Sequence, residues 1–175
     1  IEHVLAPRIL GRNPLDKGIL WHEMYNYTKD FGQKGTYIEA ISAIDIALWD
    51  ICGKALGVSA AHLMGGRQRE CVEMYATGCY YRGDQYLDLG KTLDELKAEA
   101  AGYVDAGFKM LKVKIGLLSV EDDAKRVHAI RETVGDDVGI FVDCNHAYNA
   151  YTAVRMGKYL EKENVLFMEE PVIPE

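Results

Sequence analysis

The chain has 175 residues, 49% hydrophobic and 27% charged, with a formal net charge of -7. That composition marks a globular chain able to bury one ordinary core, and the acidic balance argues against nucleic acid as the main partner. No apolar run approaches the roughly 20 residues that cross a bilayer, and no basic segment leads into an apolar one at the start, so neither a membrane partner nor a secretory signal is expected.

Residues 1 to 13 read as loop. Asn13-Pro14 favours a helix start, because proline presets the backbone where its missing N–H is not needed, and the helix is expected to run to about Phe31. Gly32 to Gly35 break the chain. From Thr36 the positions Ile41, Ile44, Leu48, Ile51 and Ala55 fall at steps of three and four, the strongest helical pattern present. Gly57 ends it, and Ser59 opens a short helical turn through Met64. Asp45, Asp50 and His62 read as capping or ion-pairing groups.

After Arg67 the character changes. Cys71 to Gly78 reads as a strand, and Thr92 with Glu95 has capping-box spacing for a helix ending at Gly107. Phe108 to Gly116 contains the next strand. Ser119 with Asp122 gives a second capping signal, and Val120, Ala124, Val127, Ile130 and Val134 make one apolar face. A strand from Val138 to Asp143, a helix from about Ala150 to Lys162 and a strand from Val165 to Glu169 follow. This β-α-β-α-β-α-β order has connections too long for hairpins, so the strands are expected to be parallel and right-handedly connected.

Polar groups gather at the strand ends, where α/β barrels keep their chemistry. Lys112 and Lys114 lie two apart and share a face of their strand. A parallel strand covered by helices has no solvated face except near its ends, so two ammonium groups there need an anion or a task. Two unit charges about 6 Å apart at an effective dielectric of about 20 repel by roughly 3 kcal/mol, about two pKa units, which pushes either lysine toward the neutral state of a base. Asp143 and Glu169 end the next two strands. Two hard oxygen donors at one rim suit Mg²⁺, which also keeps waters and takes substrate oxygens. A paired-carboxylate glycosidase would use the same acids but leave the lysines without a role. Asn145 and His146 follow Asp143 within reach of a bound substrate, and Glu170 should leave on the face opposite Glu169. Cys52, Cys71, Cys79 and Cys144 lie at irregular spacings without a CxxC pair and read as buried, reduced thiols, which makes cytoplasm the expected compartment.

Taken together, Ala43-Ile44-Asp45-Ile46-Ala47-Leu48-Trp49-Asp50, Leu63-Met64-Gly65-Gly66, Lys112-Val113-Lys114, Val142-Asp143-Cys144-Asn145 and Met168-Glu169-Glu170-Pro171 resemble the mandelate racemase and muconate-lactonizing branch of the enolase superfamily. Tyr75-Ala76-Thr77-Gly78, Asn145-His146-Ala147-Tyr148 and Glu170-Pro171-Val172-Ile173-Pro174-Glu175 look most like its sugar-acid enzymes, galactarolactone cycloisomerases among them. The resemblance implies an α/β fold: residues 1–67 as the helical remnant of an α+β capping domain, and 68–175 as the first part of a TIM-like (β/α)7β barrel, three βα units and a fourth strand. It implies Lys114 as the base that removes the proton α to a substrate carboxylate, Lys112 lowering its pKa, and Asp143 and Glu169 holding Mg²⁺ beside an enediolate. Lys or His bases working with magnesium are the superfamily's general pattern, so these roles come to the chain by analogy alone. The implied partner is a small-molecule carboxylate, and a homo-oligomer is expected of the full-length protein. The family's third metal carboxylate and second acid/base come from later strands, and both ends of this chain read as cut, so the 175 residues alone are expected to be inactive. Two other readings stand: a Schiff-base aldolase using one lysine without metal, and a non-catalytic barrel fragment serving assembly.

Overall fold

The structure is a computed structural model and describes residues 1–81 and 89–175. The chain forms two compact units, Ile1–Cys71 and Val72–Glu175.

The first unit is helical. Residues expected to be loop include a short helix, α1 (Ala6–Ile9), preceded by buried Leu5. A 3-10 turn at Pro14–Asp16, with the Asn13 side chain accepting from the Leu15 amide at 3.1 Å, leads into α2 (Lys17–Thr28). Helix α3 (Thr36–Leu56) buries Ile41, Ile44 and Leu48 as the spacing predicts, but the stripe then passes to Cys52, and Ile51 is left 43% exposed. At about 100° per residue, eleven positions bring Cys52 to within roughly 20° of Ile41, whereas ten leave Ile51 roughly 80° away. Gly57 ends α3 in the left-handed conformation (φ 69), where glycine carries no Cβ penalty, and Ser59 caps α4 (Ala60–Leu63).

The second unit is a four-stranded parallel sheet in the order β1-β2-β3-β4, with a helix after each of the first three strands. Its elements are β1 (Ala76–Gly78), α5 (Leu89–Asp105), β2 (Met110–Lys114), α6 (Val120–Val134), β3 (Gly139–Asp143), α7 (Ala150–Leu160) and β4 (Val165–Glu169). Two boundaries differ from the sequence reading. Only Ala76–Gly78 of the expected first strand pairs with β2. Helix α5 is already running at Leu89, so Thr92 and Glu95 lie inside it rather than at its start. Ser119 does cap α6, accepting from the Asp122 amide at 3.1 Å and donating to the Asp122 carboxylate at 2.8 Å.

One face of the sheet packs against helices. Leu111, Val113, Ile140 and Val142 are at most 1% exposed and join Val127, Ile130 and Met156 in one core. Full burial of each such side chain contributes about 2 kcal/mol. On the other face Phe141 stacks on Phe167 with ring centroids 4.3 Å apart and meets the edge of Tyr75 at 5.4 Å. Register between β3 and β4 slips by one residue: Ile140 pairs with Val165, but Phe141 pairs with Phe167, so Leu166 is extra.

Candidate active site

Parallel pairing sets a row of side chains across the sheet. Lys114 of β2, Asp143 of β3 and Glu169 of β4 are direct register partners, and directly paired residues point to one face. Lys112 is two residues back along β2, opposite Phe141, and reaches up to the same row.

The four groups meet. Lys114 Nζ donates to Asp143 Oδ2 at 2.6 Å and to Asn145 Oδ1 at 2.8 Å. Lys112 Nζ donates to Glu169 Oε2 at 2.8 Å and lies 3.3 Å from the same Asp143 oxygen. The rings of Tyr75 and Tyr80 lie 5.6 and 5.8 Å from the Lys112 and Lys114 ammonium groups. Asp143 is 3% exposed; its second oxygen accepts from the Asn145 amide at 3.0 Å. Burial pushes its carboxyl up, but the bonds from Lys114, Asn145 and Lys112 outweigh that and hold it below the usual carboxylate range.

Lys112 differs from the expectation. Its pKa is pushed up to about 12, chiefly by the hydrogen bond to Glu169, with desolvation opposing and Asp143 adding to the rise. Around Lys112 the contacts with Glu169 and Asp143 outweigh the effect of burial.

The loop after β3 turns through two left-handed residues, Asn145 (φ 45) and His146 (φ 64). Asn145 bridges Lys114 to Glu170, donating to Glu170 Oε2 at 3.3 Å. His146 is held by its Nδ1 at 3.0 Å from the Val172 carbonyl, with its Nε2 3.4 Å from Glu170. Glu170 therefore stands beside the rim rather than on the opposite face. Its own φ of 44 ends the strand alternation on which that expectation rested.

Sequence reasoning missed a buried network beneath the rim. Asp123 and Arg126, both fully buried, pair at 3.1 Å, and the Tyr81 hydroxyl donates to Asp123. The signal in the sequence was two charges set three apart among the apolar positions of α6. Asp50 pairs instead with Lys54 at 2.6 Å on the surface, His62 bonds Ser59 at 2.8 Å, and Asp45 lines a pocket with Lys17, Trp21, His22 and Trp49. Cys52, Cys79 and Cys144 are buried and form no disulfide, with burial pushing the Cys144 thiol up to about 12. Cys71 is exposed, contrary to the reading of all four as buried, because it precedes the paired part of its strand.

Two carboxylate oxygens converging on one ammonium form a point where a hard divalent cation has ligands of the right chemistry. Among the described residues no group of three or more His, Cys, Asp or Glu side chains is placed to hold a metal; Asp143 and Glu169 supply two protein oxygens.

Residues 95–175 match the enolase C-terminal domain-like family, and residues 1–65 match the mandelate racemase/muconate lactonizing enzyme N-terminal domain. The chain belongs to the mandelate racemase and muconate-lactonizing branch of the enolase superfamily. It is 44% identical over 172 residues to an arabinonate dehydratase from Saccharolobus solfataricus, covering 98% of this chain and 44% of the relative. It is 39% identical over 169 residues to a D-galactarolactone cycloisomerase from Agrobacterium fabrum, covering 95% and 43%. An L-talarate dehydratase from Polaromonas, solved with magnesium and L-glucarate, superposes with a TM-score of 0.80 at 32% identity, covering 97% of this chain and 45% of that one. The parallel sheet is thus part of this superfamily's barrel-like domain, and the chain spans less than half the length of the relatives it matches. Among the described residues no helix is long and apolar enough to cross a membrane.

Proposed function

We propose that the whole protein is a magnesium-dependent lyase or isomerase acting on a hydroxy or sugar acid, or its lactone, by removing the proton α to a carboxylate. The supporting observation is the row Lys114–Asp143–Glu169 with Lys112 behind it, on one face of a parallel sheet at the strand ends. Bound by Asp143 and Glu169, magnesium supplies positive charge beside the substrate carboxylate. Lys114 takes the α proton in this reading, and the Lys112 ammonium disfavours a second positive charge next to it. Asn145 orients Lys114 through its 2.8 Å contact and, with His146, offers polar groups to the substrate's hydroxyls. Residues 1–67 belong to the helical part of a capping domain. For a Schiff-base aldolase the amine would be Lys114 rather than Lys112, whose pKa the hydrogen bond to Glu169 raises.

The relatives' names point to arabinonate, galactarolactone and galactarate-like acids as first probes. In the whole protein with magnesium and these probes, Lys114→Ala is expected to lower turnover by about 10³-fold. Unchanged turnover in a folded Lys114→Ala protein rejects the assignment. The 175 residues alone are expected to give no turnover, because relatives of this family are more than twice as long.

A further inference from the structure

The buried network under β1 and β2 takes no part in the chemistry just described, yet its bonds are directed at the backbone on either side of it. Arg126, on α6, donates from Nη1 to the Lys114 carbonyl at 2.8 Å and from Nη2 to the Cys79 carbonyl at 2.8 Å. Asp123 Oδ2 accepts from the amides of Gly116 at 2.8 Å and Leu118 at 3.3 Å. The Tyr81 hydroxyl donates to Asp123 and accepts from the Leu117 amide at 3.2 Å, while the Arg126 guanidinium lies 3.9 Å over the Tyr81 ring. Lys114 is therefore held at its own carbonyl and through the three amides from Gly116 to Leu118. Tyr80, whose ring faces Lys114, sits between two anchored residues, Cys79 and Tyr81.

Stability alone gives a poor account of such a cluster. Withdrawing two charges fully from water is costly, and apolar side chains of similar volume often serve a core as well or better. Arg126 also leaves its Nε without a hydrogen-bond partner among the described residues. What the pair provides that apolar groups cannot is directional bonding to the ends of two strands. A base must be held to within a fraction of an ångström of its target, by groups that are themselves fixed.

We propose that Arg126, with Asp123 and Tyr81, is a positioning device that fixes Lys114 for proton abstraction. The role rests on Lys114 as the base, and its test separates the two ideas. The variant is Arg126→Met/Asp123→Leu, which removes both charges together and fills their volume. In the whole protein, assayed with arabinonate and magnesium, kcat is expected to fall about 100-fold, the cost of misplacing a reacting group by roughly 1 Å, with KM changed by less than about threefold. Its crystal structure is expected to show Lys114 Nζ displaced from Asp143 Oδ2. An unchanged kcat, or Lys114 still at its native distance from Asp143, overturns the proposal. Should the double variant not fold, Arg126→Lys keeps the charge but loses the fork that spans two carbonyls. A loss of about tenfold in kcat is expected there, and wild-type kcat overturns the proposal. Lys114→Ala measured alongside divides the failures. If it keeps full turnover, the base assignment falls and the positioning role with it; if it is inactive while both Arg126 variants match wild type, only the positioning role falls.

Discussion

Arg126 and Arg131 lie on the same helix, both buried and both bonded to backbone carbonyls, but they serve opposite ends of the sheet. Arg126 holds the loops leaving β1 and β2, at the end of the sheet where Lys114 meets Asp143. Arg131 holds the segments entering β3 and β4, donating to the carbonyls of Gly135, Val138, Glu163 and Asn164. Every bond it makes there is to main chain. The same residue type thus supports the rim that carries the lysines and carboxylates at one end of a parallel sheet and structural closure at the other, the division expected of barrel folds.

Breaking the structural end should cost the most stability. Arg131→Met is expected to lower the unfolding free energy by about 3–5 kcal/mol, because several buried carbonyls lose a charged donor, while magnesium affinity stays near wild type. Urea titration and calorimetric magnesium binding check the two halves. If magnesium affinity falls with stability, the two ends are not separable. At the active rim, Glu169→Gln should lower magnesium affinity by at least the roughly 10- to 100-fold lost when an outer-shell partner is removed, with little change in urea midpoint. Gly116→Ala should act on the rim's geometry: φ is 107 and a Cβ would lie 2.6 Å from that of Ala147, so about 2 kcal/mol of destabilisation is expected. A melting temperature equal to wild type would contradict that close approach. Ser119→Ala, which removes only a helix cap, should cost about 1 kcal/mol in the same urea assay.

The rim also predicts an acid limit. Asp143 has a folded pKa below its unfolded value, so its contribution is present above about pH 4 and is lost as pH falls through the lower folded value. An Asp143→Asn protein should show a flatter decline of stability below about pH 4 than wild type, read by urea midpoints across that range.

Parallel strands and the placement of charged side chains at their ends were legible in the sequence because both follow from spacing. Lys112 and Lys114 alternate with Val113, and Asp143 and Glu169 each close an apolar run. What spacing does not carry is who answers whom across strands. The charge state of Lys112 depends on Glu169, 57 positions away. Glu170 escaped the alternation rule through a left-handed backbone that no residue type announced. Asp123 and Arg126 look like surface charges on a helix until the loops they bind are placed around them.

The extra residue at Leu166 decides more than local twist. Were Leu166 to pair with Phe141, continuing the register set by Ile140 and Val165, Glu169 would fall opposite Cys144, among the residues facing the helices, and Asp143 would have Met168 beside it. The bulge absorbs the surplus position before the chain reaches Glu169. A mispairing by a single residue would leave every ionisable group in the chain and still dismantle the proposed metal site, by turning one acid inside out.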